Sequence, residues 1–303
     1  MIRLIDHLKA RGLSPGDARR ALASGKVFYG LLAVADPARL VDPDRVRVVP
    51  DAPRLRVGRD PQLVHVDEHL AIVCKPAGML SVPAPGRRGE RNLVAWAHRA
   101  LGEAHRVHRL DEDTSGLILV ARSERMRARL IDLISSHRIE RGYLALVAGH
   151  VPDRTHTLRS HIARNRGDGL RGSSGDEAGG EAITHIVSST PLKGVSLVEL
   201  RLETGRTHQV RIHMAEFGHP VLGDWLYGGR GPGAPRLALH AWRLALDHPA
   251  TGVRLECEIP LPDDLEAIRA ALEPPVRRAR PVEGRASGEE GARRVRPGAR
   301  PKQ

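Results

Sequence analysis

The chain has 303 residues, 41 % hydrophobic and 28 % charged, which is enough apolar content for one or two domains with substantial cores. No apolar run approaches membrane-spanning length and the N-terminus lacks a secretory hydrophobic segment, so a cytoplasmic protein without a membrane partner is expected. A formal charge of +12 points instead to a polyanionic partner. Two cysteines far apart in the chain, Cys74 and Cys257, sit in apolar contexts and read as buried free thiols rather than a disulfide or a metal site.

Residues 1–50 read as a small module of their own. Leu4, Leu8 and Leu13, then Ala18, Ala21 and Leu22, predict two short helices broken at Gly12-Leu13-Ser14-Pro15. Ser14 is placed to cap the second helix, with Pro15 at its first position and Asp17 at the third. Strands follow from Val27 to Val49, and Arg11, Arg19, Arg20 and Lys26 cluster around the helices as a basic face. Residues 51–62, rich in Pro and Arg, form a linker.

Beyond the linker, Leu63–Val66 and Leu70–Cys74 predict two strands joined at Asp67-Glu68-His69 and leading into Lys75-Pro76-Ala77-Gly78. Residues 84–91 are a polar loop, and Asn92–Leu101 a helix. The stretch His-Arg-Leu-Asp-Glu-Asp-Thr-Ser-Gly from His108 to Gly116 then places Asp111 in a turn-like segment, directly before the apolar run Leu117-Ile118-Leu119-Val120. A polar loop beside a rigid buried strand is a fit place for a functional carboxylate. Ser123 caps a further helix with Met126, Leu130, Leu133, Ile134 and His137 at helical spacing. Arg138–Arg141 opens a strand running through Tyr143 to Val147.

Asn165–Glu181, rich in Gly, Ser, Asp and Arg, reads as a flexible surface insertion. Ala182–Val187 and Ser196–Leu202 are strands, the second with Val198, Leu200 and Leu202 alternating with charged residues. It delivers Thr204-Gly205-Arg206-Thr207-His208-Gln209-Val210-Arg211-Ile212-His213, in which Val210, Met214 and Phe217 predict a helix ending at Gly218. Arg206 would lie near the start of that helix, a position that favours anions. Residues 274–303 contain nine Lys or Arg against three Glu and almost no large apolar residues, so a disordered basic tail is expected. Half of the formal charge lies there, which leaves the folded part less basic than the total suggests.

Three motifs in the 63–273 region, in order, resemble those of the RluA-type pseudouridine synthases, which isomerise uridine within RNA. They are the Lys75-Pro76-Ala77-Gly78 turn, the string around Asp111, and Thr204–His213 with Gly218-His219-Pro220, Gly223-Asp224 and Tyr227-Gly228 after it. Arg141-Gly142-Tyr143-Leu144-Ala145-Leu146-Val147 resembles a further family motif, with Arg141 where lysine is common. The resemblance implies an α+β fold: a mixed, largely antiparallel sheet with flanking helices around a basic central cleft. It makes Asp111 the catalytic aspartate, Arg206 its paired cation, Tyr143 the ring against the target base and Arg109 a residue holding the rearranged RNA.

Residues 1–50 resemble an S4-like RNA-binding domain, although the family usually has Asn where this chain has Tyr29. With such a module, ribosomal RNA of the large subunit is the expected substrate and transfer RNA the alternative. The protein is expected to act as a monomer, and the chemistry asks for no cofactor or metal. Two other classes remain at this point. An RNA-binding or assembly protein that no longer catalyses is disfavoured by intact Asp111, Tyr143 and Arg206. A nucleoside glycosidase would want a second carboxylic acid, for which Asp113 is the near candidate.

Overall fold

The computed structural model of the protein describes residues 1–23, 27–29, 32–33, 40–48, 60–83, 91–164, 171–174, 179–224, 226–228, 234 and 236–274. The chain starts with strand β1 (Ile2–Arg3), helices α1 (Leu4–Ala10) and α2 (Pro15–Ala23), and short strands β2 (Val27–Tyr29), β3 (Leu32–Ala33), β4 (Leu40–Val41) and β5 (Val46–Val48). Ser14 caps α2 as its spacing predicts: its Oγ accepts the Asp17 amide at 3.1 Å and donates to the Asp17 carboxylate at 2.5 Å. Leu4, Leu8, Ala18, Leu22, Val27, Tyr29, Val41 and Val46 close a core of their own. Tyr29 belongs to that core, and its hydroxyl accepts the Asp42 amide at 3.4 Å.

The rest of the described chain builds around one 11-stranded sheet. Its elements are β6 (Gln62–Val66), β7 (Leu70–Lys75), α3 (Leu93–Leu101), β8 (His105–Arg106), β9 (Ser115–Ala121), α4 (Glu124–Ser135), β10 (Ile139–Ala148), β11 (His156–Ala163), β12 (Gly172–Ser174), β13 (Gly180–Pro191), β14 (Val195–Leu202), α5 (Gln209–Glu216), β15 (Leu239–Asp247), β16 (Arg254–Glu258) and α6 (Asp263–Ala271). The main path runs β12-β11-β13-β14-β10-β15-β9-β7-β6, with β16 on β15 and β8 on β9. The pairings are antiparallel except β15 with β9, which run parallel at His240–Ser115 and Ala241–Gly116. Gly116 permits that approach: its φ is +120°, and a Cβ there would meet the Ala241 carbonyl oxygen at 2.2 Å.

The continuous apolar runs of β7 and β9 follow from burial of both sheet faces. Ala71, Val73, Ile118 and Val120 join one core with α3, α5 and Tyr143, whereas Leu70, Ile72, Leu117 and Leu119 join another with Met126, Leu130 and Leu133 of α4. Removing each such leucine from water contributes roughly 2 kcal/mol. Ser123 caps α4 by accepting the Met126 amide at 3.1 Å. His137 is not part of that helix stripe. It sits past the helix end at φ +57°, with Nδ1 2.7 Å from the Glu203 carbonyl oxygen.

The 165–181 stretch is not a plain surface insertion: residues 172–174 form β12, and Gly180 opens β13, because both find strand partners in and around β11. Both cysteines are free but half-buried rather than buried. Among the described residues no helix is long and apolar enough to cross a membrane. The sequence-based expectation for the tail falls on residues 275–303, outside the described residues.

Candidate active site

Asp111 stands in the loop that enters β9, and that loop is tied down from three sides. The Ser81 hydroxyl donates to the Leu110 carbonyl at 2.7 Å and accepts the Leu110 amide at 3.0 Å. The Gly78 amide donates to the Glu112 carbonyl at 2.9 Å, and the His108 ring accepts the Leu119 amide through Nε2 at 2.9 Å. Burial, with Arg141 nearby, pushes the His108 pKa down to about 3, so the ring remains a neutral acceptor.

Lys75 supplies a further tie. It is fully buried, and its ammonium donates to the carbonyls of Pro76, Met79 and Glu112 at 2.9, 2.8 and 2.9 Å. Burial lowers its pKa to about 7 against the opposing charges of Asp113, Asp111 and Glu112. The Lys75-Pro76-Ala77-Gly78 turn thus clasps the loop at Glu112, and Ser81 holds it at Leu110 on the other side of Asp111.

The cation beside Asp111 is Arg211. Its Nη1 lies 3.6 Å from Asp111 Oδ2. The other edge of the guanidinium is taken by Asp224, with Nε to Oδ2 at 2.7 Å and Nη2 to Oδ1 at 2.8 Å. This two-bond fork fixes the plane of the guanidinium and directs Nη1 toward Asp111. Asp224 is fully buried, and its Oδ1 also accepts the amides of Leu226 and Tyr227 at 3.0 and 3.2 Å. Burial alone would lower the Arg211 pKa, but the bonds and charge of Asp224, with Asp111 and Asp113, raise it. The Arg211 guanidinium also lies 5.3 Å from the centre of the Tyr227 ring.

Arg206 does not pair with Asp111. It is exposed, and its Nε donates to the Glu181 carbonyl at 2.9 Å beside Gly180. The reason is local: the Gln209 side chain accepts both the Arg206 amide and the Thr204 hydroxyl, holding the 204–206 turn against β13 with the arginine pointing away. Helix α5 then carries Arg211 inward, since Gln209 through Met214 are all buried.

Tyr143 is 7 % exposed and sits in β10 between Leu200 and Ala241, where the pairing with β15 shifts register after Gly142. Burial lifts its phenol to about 12, Arg141 opposing and Asp111 reinforcing the shift. Arg141, buried where the related motif usually has lysine, donates to the Glu203 carbonyl at 2.9 Å. Arg109 is exposed two residues before Asp111. In the N-terminal module Arg11 is exposed and reaches the Val46 carbonyl at 3.3 Å. Arg19 and Arg20 lie in α2, but their side chains, and Lys26 entirely, are outside the described residues. Among the described residues no group of three or more His, Cys, Asp or Glu is placed to hold a metal ion.

The family described as RNA pseudouridylate synthase matches residues 69–216. The ribosomal large subunit pseudouridine synthase D of Zymomonas mobilis is 37 % identical over 229 residues, covering 68 % of this chain and 71 % of that protein. The RNA pseudouridine synthase YhcT of Bacillus subtilis, described as uncharacterized, is 39 % identical over 209 residues, covering 67 % and 69 %. The chain belongs to the RluA-type RNA pseudouridine synthases. As a pseudouridine synthase it is an isomerase acting on RNA. The fold agrees: the solved human RNA pseudouridylate synthase domain containing 4 superposes with a TM-score of 0.55 at 24 % identity, over 70 % of this chain and 94 % of that one.

Within this pseudouridine synthase, sequence reasoning missed Arg211, Asp224, Lys75 and His208. Arg211 and Arg206 share one motif, and α5 shows no apolar face that would mark its inner side, because polar and apolar residues are buried alike. The available signal was Asp224. A carboxylate in an apolar context needs a cation, and Arg211 precedes Met214 by one helical turn, on the side that faces the core.

Proposed function

We propose that this synthase modifies uridines of large-subunit ribosomal RNA, with Asp111 as the reacting carboxylate and Arg211 as its partner. The observation that carries the chemical part is the fixed pair: an arginine clamped by a fully buried aspartate, with one remaining nitrogen 3.6 Å from Asp111. Converting uridine to pseudouridine breaks the N1–C1′ bond, turns the uracil and joins C5 to C1′, while C5 loses a proton and N1 gains one. The reaction is redox-neutral and asks for a carboxylate beside the sugar, acting as nucleophile or base. Arg211 supplies the counter-charge for that carboxylate in a site largely withdrawn from water.

Tyr143 offers a ring edge for the extruded base, and its high phenol pKa keeps the hydroxyl protonated at neutral pH as a hydrogen-bond donor. The target base has to leave its helix to reach Asp111, and Arg109, exposed two residues before it, takes the role of holding the disturbed RNA. Residues 1–50 act as an S4-like second RNA contact that favours extended RNA over an isolated hairpin. The free thiols and the RNA substrate fit a cytoplasmic site of action. Ribosomal RNA is favoured by the relatives, several of which carry the name ribosomal large subunit pseudouridine synthase D.

Two experiments test the reading. Asp111→Asn is expected to reduce tritium release from C5-labelled RNA by roughly 10⁴-fold or more, as removal of a reacting group does, while RNA affinity holds. Substantial turnover by that variant removes Asp111 from its role. Mapping pseudouridines in a deletion strain is expected to show sites missing from large-subunit ribosomal RNA. Loss confined to transfer RNA overturns the substrate assignment.

A further inference from the structure

Asp111 has two carboxylate oxygens, and Arg211 addresses only one of them. Facing the other is His208, whose Nε2 lies 3.9 Å from Asp111 Oδ1, while Arg211 Nη1 approaches Oδ2. The other ring nitrogen of His208, Nδ1, lies 3.0 Å from the Tyr227 hydroxyl, and the two rings meet edge to face at 5.7 Å. Tyr227 in turn offers its face to Arg211 and its backbone amide to Asp224. His208 therefore belongs to a closed set of side chains around Asp111.

His208 has a left-handed backbone at the third position of the turn that the Gln209 amide closes by donating to the Arg206 carbonyl at 3.1 Å. Two non-glycine residues in the described chain have positive φ, His137 and His208. His137 follows the end of α4, where a left-handed residue commonly terminates a helix. His208 occupies the position before α5, at φ 62° and ψ 17°, where an extended residue with a capping side chain is the rule, and its side chain makes no cap. Such a turn position is more often given to Gly or Asn, so the use of histidine there is read from what its side chain does. Here the side chain is held between Asp111 and Tyr227.

We propose that His208 is a positioning residue for Asp111: a neutral imidazole whose Nε2–H addresses Oδ1 while Tyr227, donating to Nδ1, fixes the tautomer. The inference rests on the reading of Asp111 as the reacting carboxylate. Arg211 and His208 then hold the carboxylate at two points and set the direction in which it faces the sugar. The 3.9 Å separation closes to a hydrogen bond when substrate fills the site, as such contacts commonly tighten on binding. The groups acting on the imidazole are Asp111, Arg211, Asp224, Arg171 and the Tyr227 hydroxyl. Burial favours the neutral ring, Arg211 and Arg171 add to this, and Asp111 and Asp224 oppose it. Protonation replaces the neutral donor with a cation against Asp111, which reverses the bond to Tyr227 and damps the carboxylate.

Four variants assayed by tritium release from C5-labelled RNA across pH test this. His208→Gln places an amide N–H where Nε2 stands; His208→Asn suits the left-handed backbone better but is too short to reach. His208→Ala and His208→Asn are expected to lower kcat about 10²-fold with little change in KM for RNA, the scale of a misplaced reacting group. His208→Gln is expected to recover most of that loss and to extend the acid limb of the kcat profile to lower pH, because its amide does not titrate. Tyr227→Phe is expected to fall between wild type and His208→Ala.

Wild-type kcat and pH profile in His208→Ala overturn the proposal. So does a His208→Asn variant equal to or better than His208→Gln, since that assigns the residue to the backbone alone. The Gln and Asn pair decides even where alanine unfolds the loop. Asp111→Asn, run in parallel, separates the two failures: residual activity there defeats the reading of Asp111, whereas an inactive Asp111→Asn beside a fully active His208→Ala defeats this inference alone.

Discussion

The loop before β9 and the segment 204–213 contribute opposite halves of one charge pair, yet they disclose their functional residues differently. In the loop, Asp111 is held by a turn and a buried strand directly after it, both legible in the adjoining sequence, and by a clasp from Lys75 and Ser81 further back in the chain. In the second segment two arginines five residues apart compete. The choice is made by a helix buried all round and by Asp224, further along the chain. A motif locates a region; the partner of a buried charge selects which of its arginines stands beside Asp111.

The charge pair is most sensitive at Asp224. Asp224→Asn removes the charge that clamps Arg211 and leaves a buried guanidinium half-partnered, at an expected cost of about 3–5 kcal/mol. Chemical denaturation should show that loss, and kcat should fall with it as Nη1 loses its direction toward Asp111. A stable and fully active variant would mean that Asp224 does not orient Arg211.

A smaller effect is expected on the loop side. Lys75→Met leaves the Pro76, Met79 and Glu112 carbonyls without their donor and should cost about 2 kcal/mol, read in the same denaturation assay. It also carries a pH dependence with a definite sign. The Lys75 pKa is lowered to about 7 in the folded chain from 10.5, so between those values the unfolded chain holds the extra proton. The stability of the wild type relative to Lys75→Met should therefore rise with pH from about 7 toward 10.5 and level off beyond. A difference that stays flat across that range would show the ammonium to be charged in both states.

Much of the fold was legible. Ser14 and Ser123 marked helix starts through side chains that accept amides in the first turn. The apolar runs at Leu70 and Leu117 marked strands covered on both faces. What stayed hidden was non-local. Strand β12 lies in a stretch of Gly and Ser with no apolar pattern, and forms because β11 offers its edge. Arg206 looked well placed from its distance to a helix start, but the Gln209 side chain holds that turn against β13 and sends Arg206 outward to Glu181. The smallest predicted effect concerns the module at residues 1–50: its removal should reduce turnover on long RNA more than on a minimal hairpin, by several-fold. Equal loss on both would assign it to stability.

The most direct measurement sets the two arginines of the second segment side by side, with kcat for uridine isomerisation determined for Arg211→Lys and Arg206→Ala in the same RNA. Arg211→Lys keeps a charge but loses the fork to Asp224 and is expected to lower kcat by about 10²-fold. Arg206→Ala removes an exposed side chain bonded to a backbone carbonyl and is expected to leave kcat within a few-fold of wild type. The reverse order, with Arg206→Ala inactive and Arg211→Lys unimpaired, would contradict the pairing of Arg211 with Asp111.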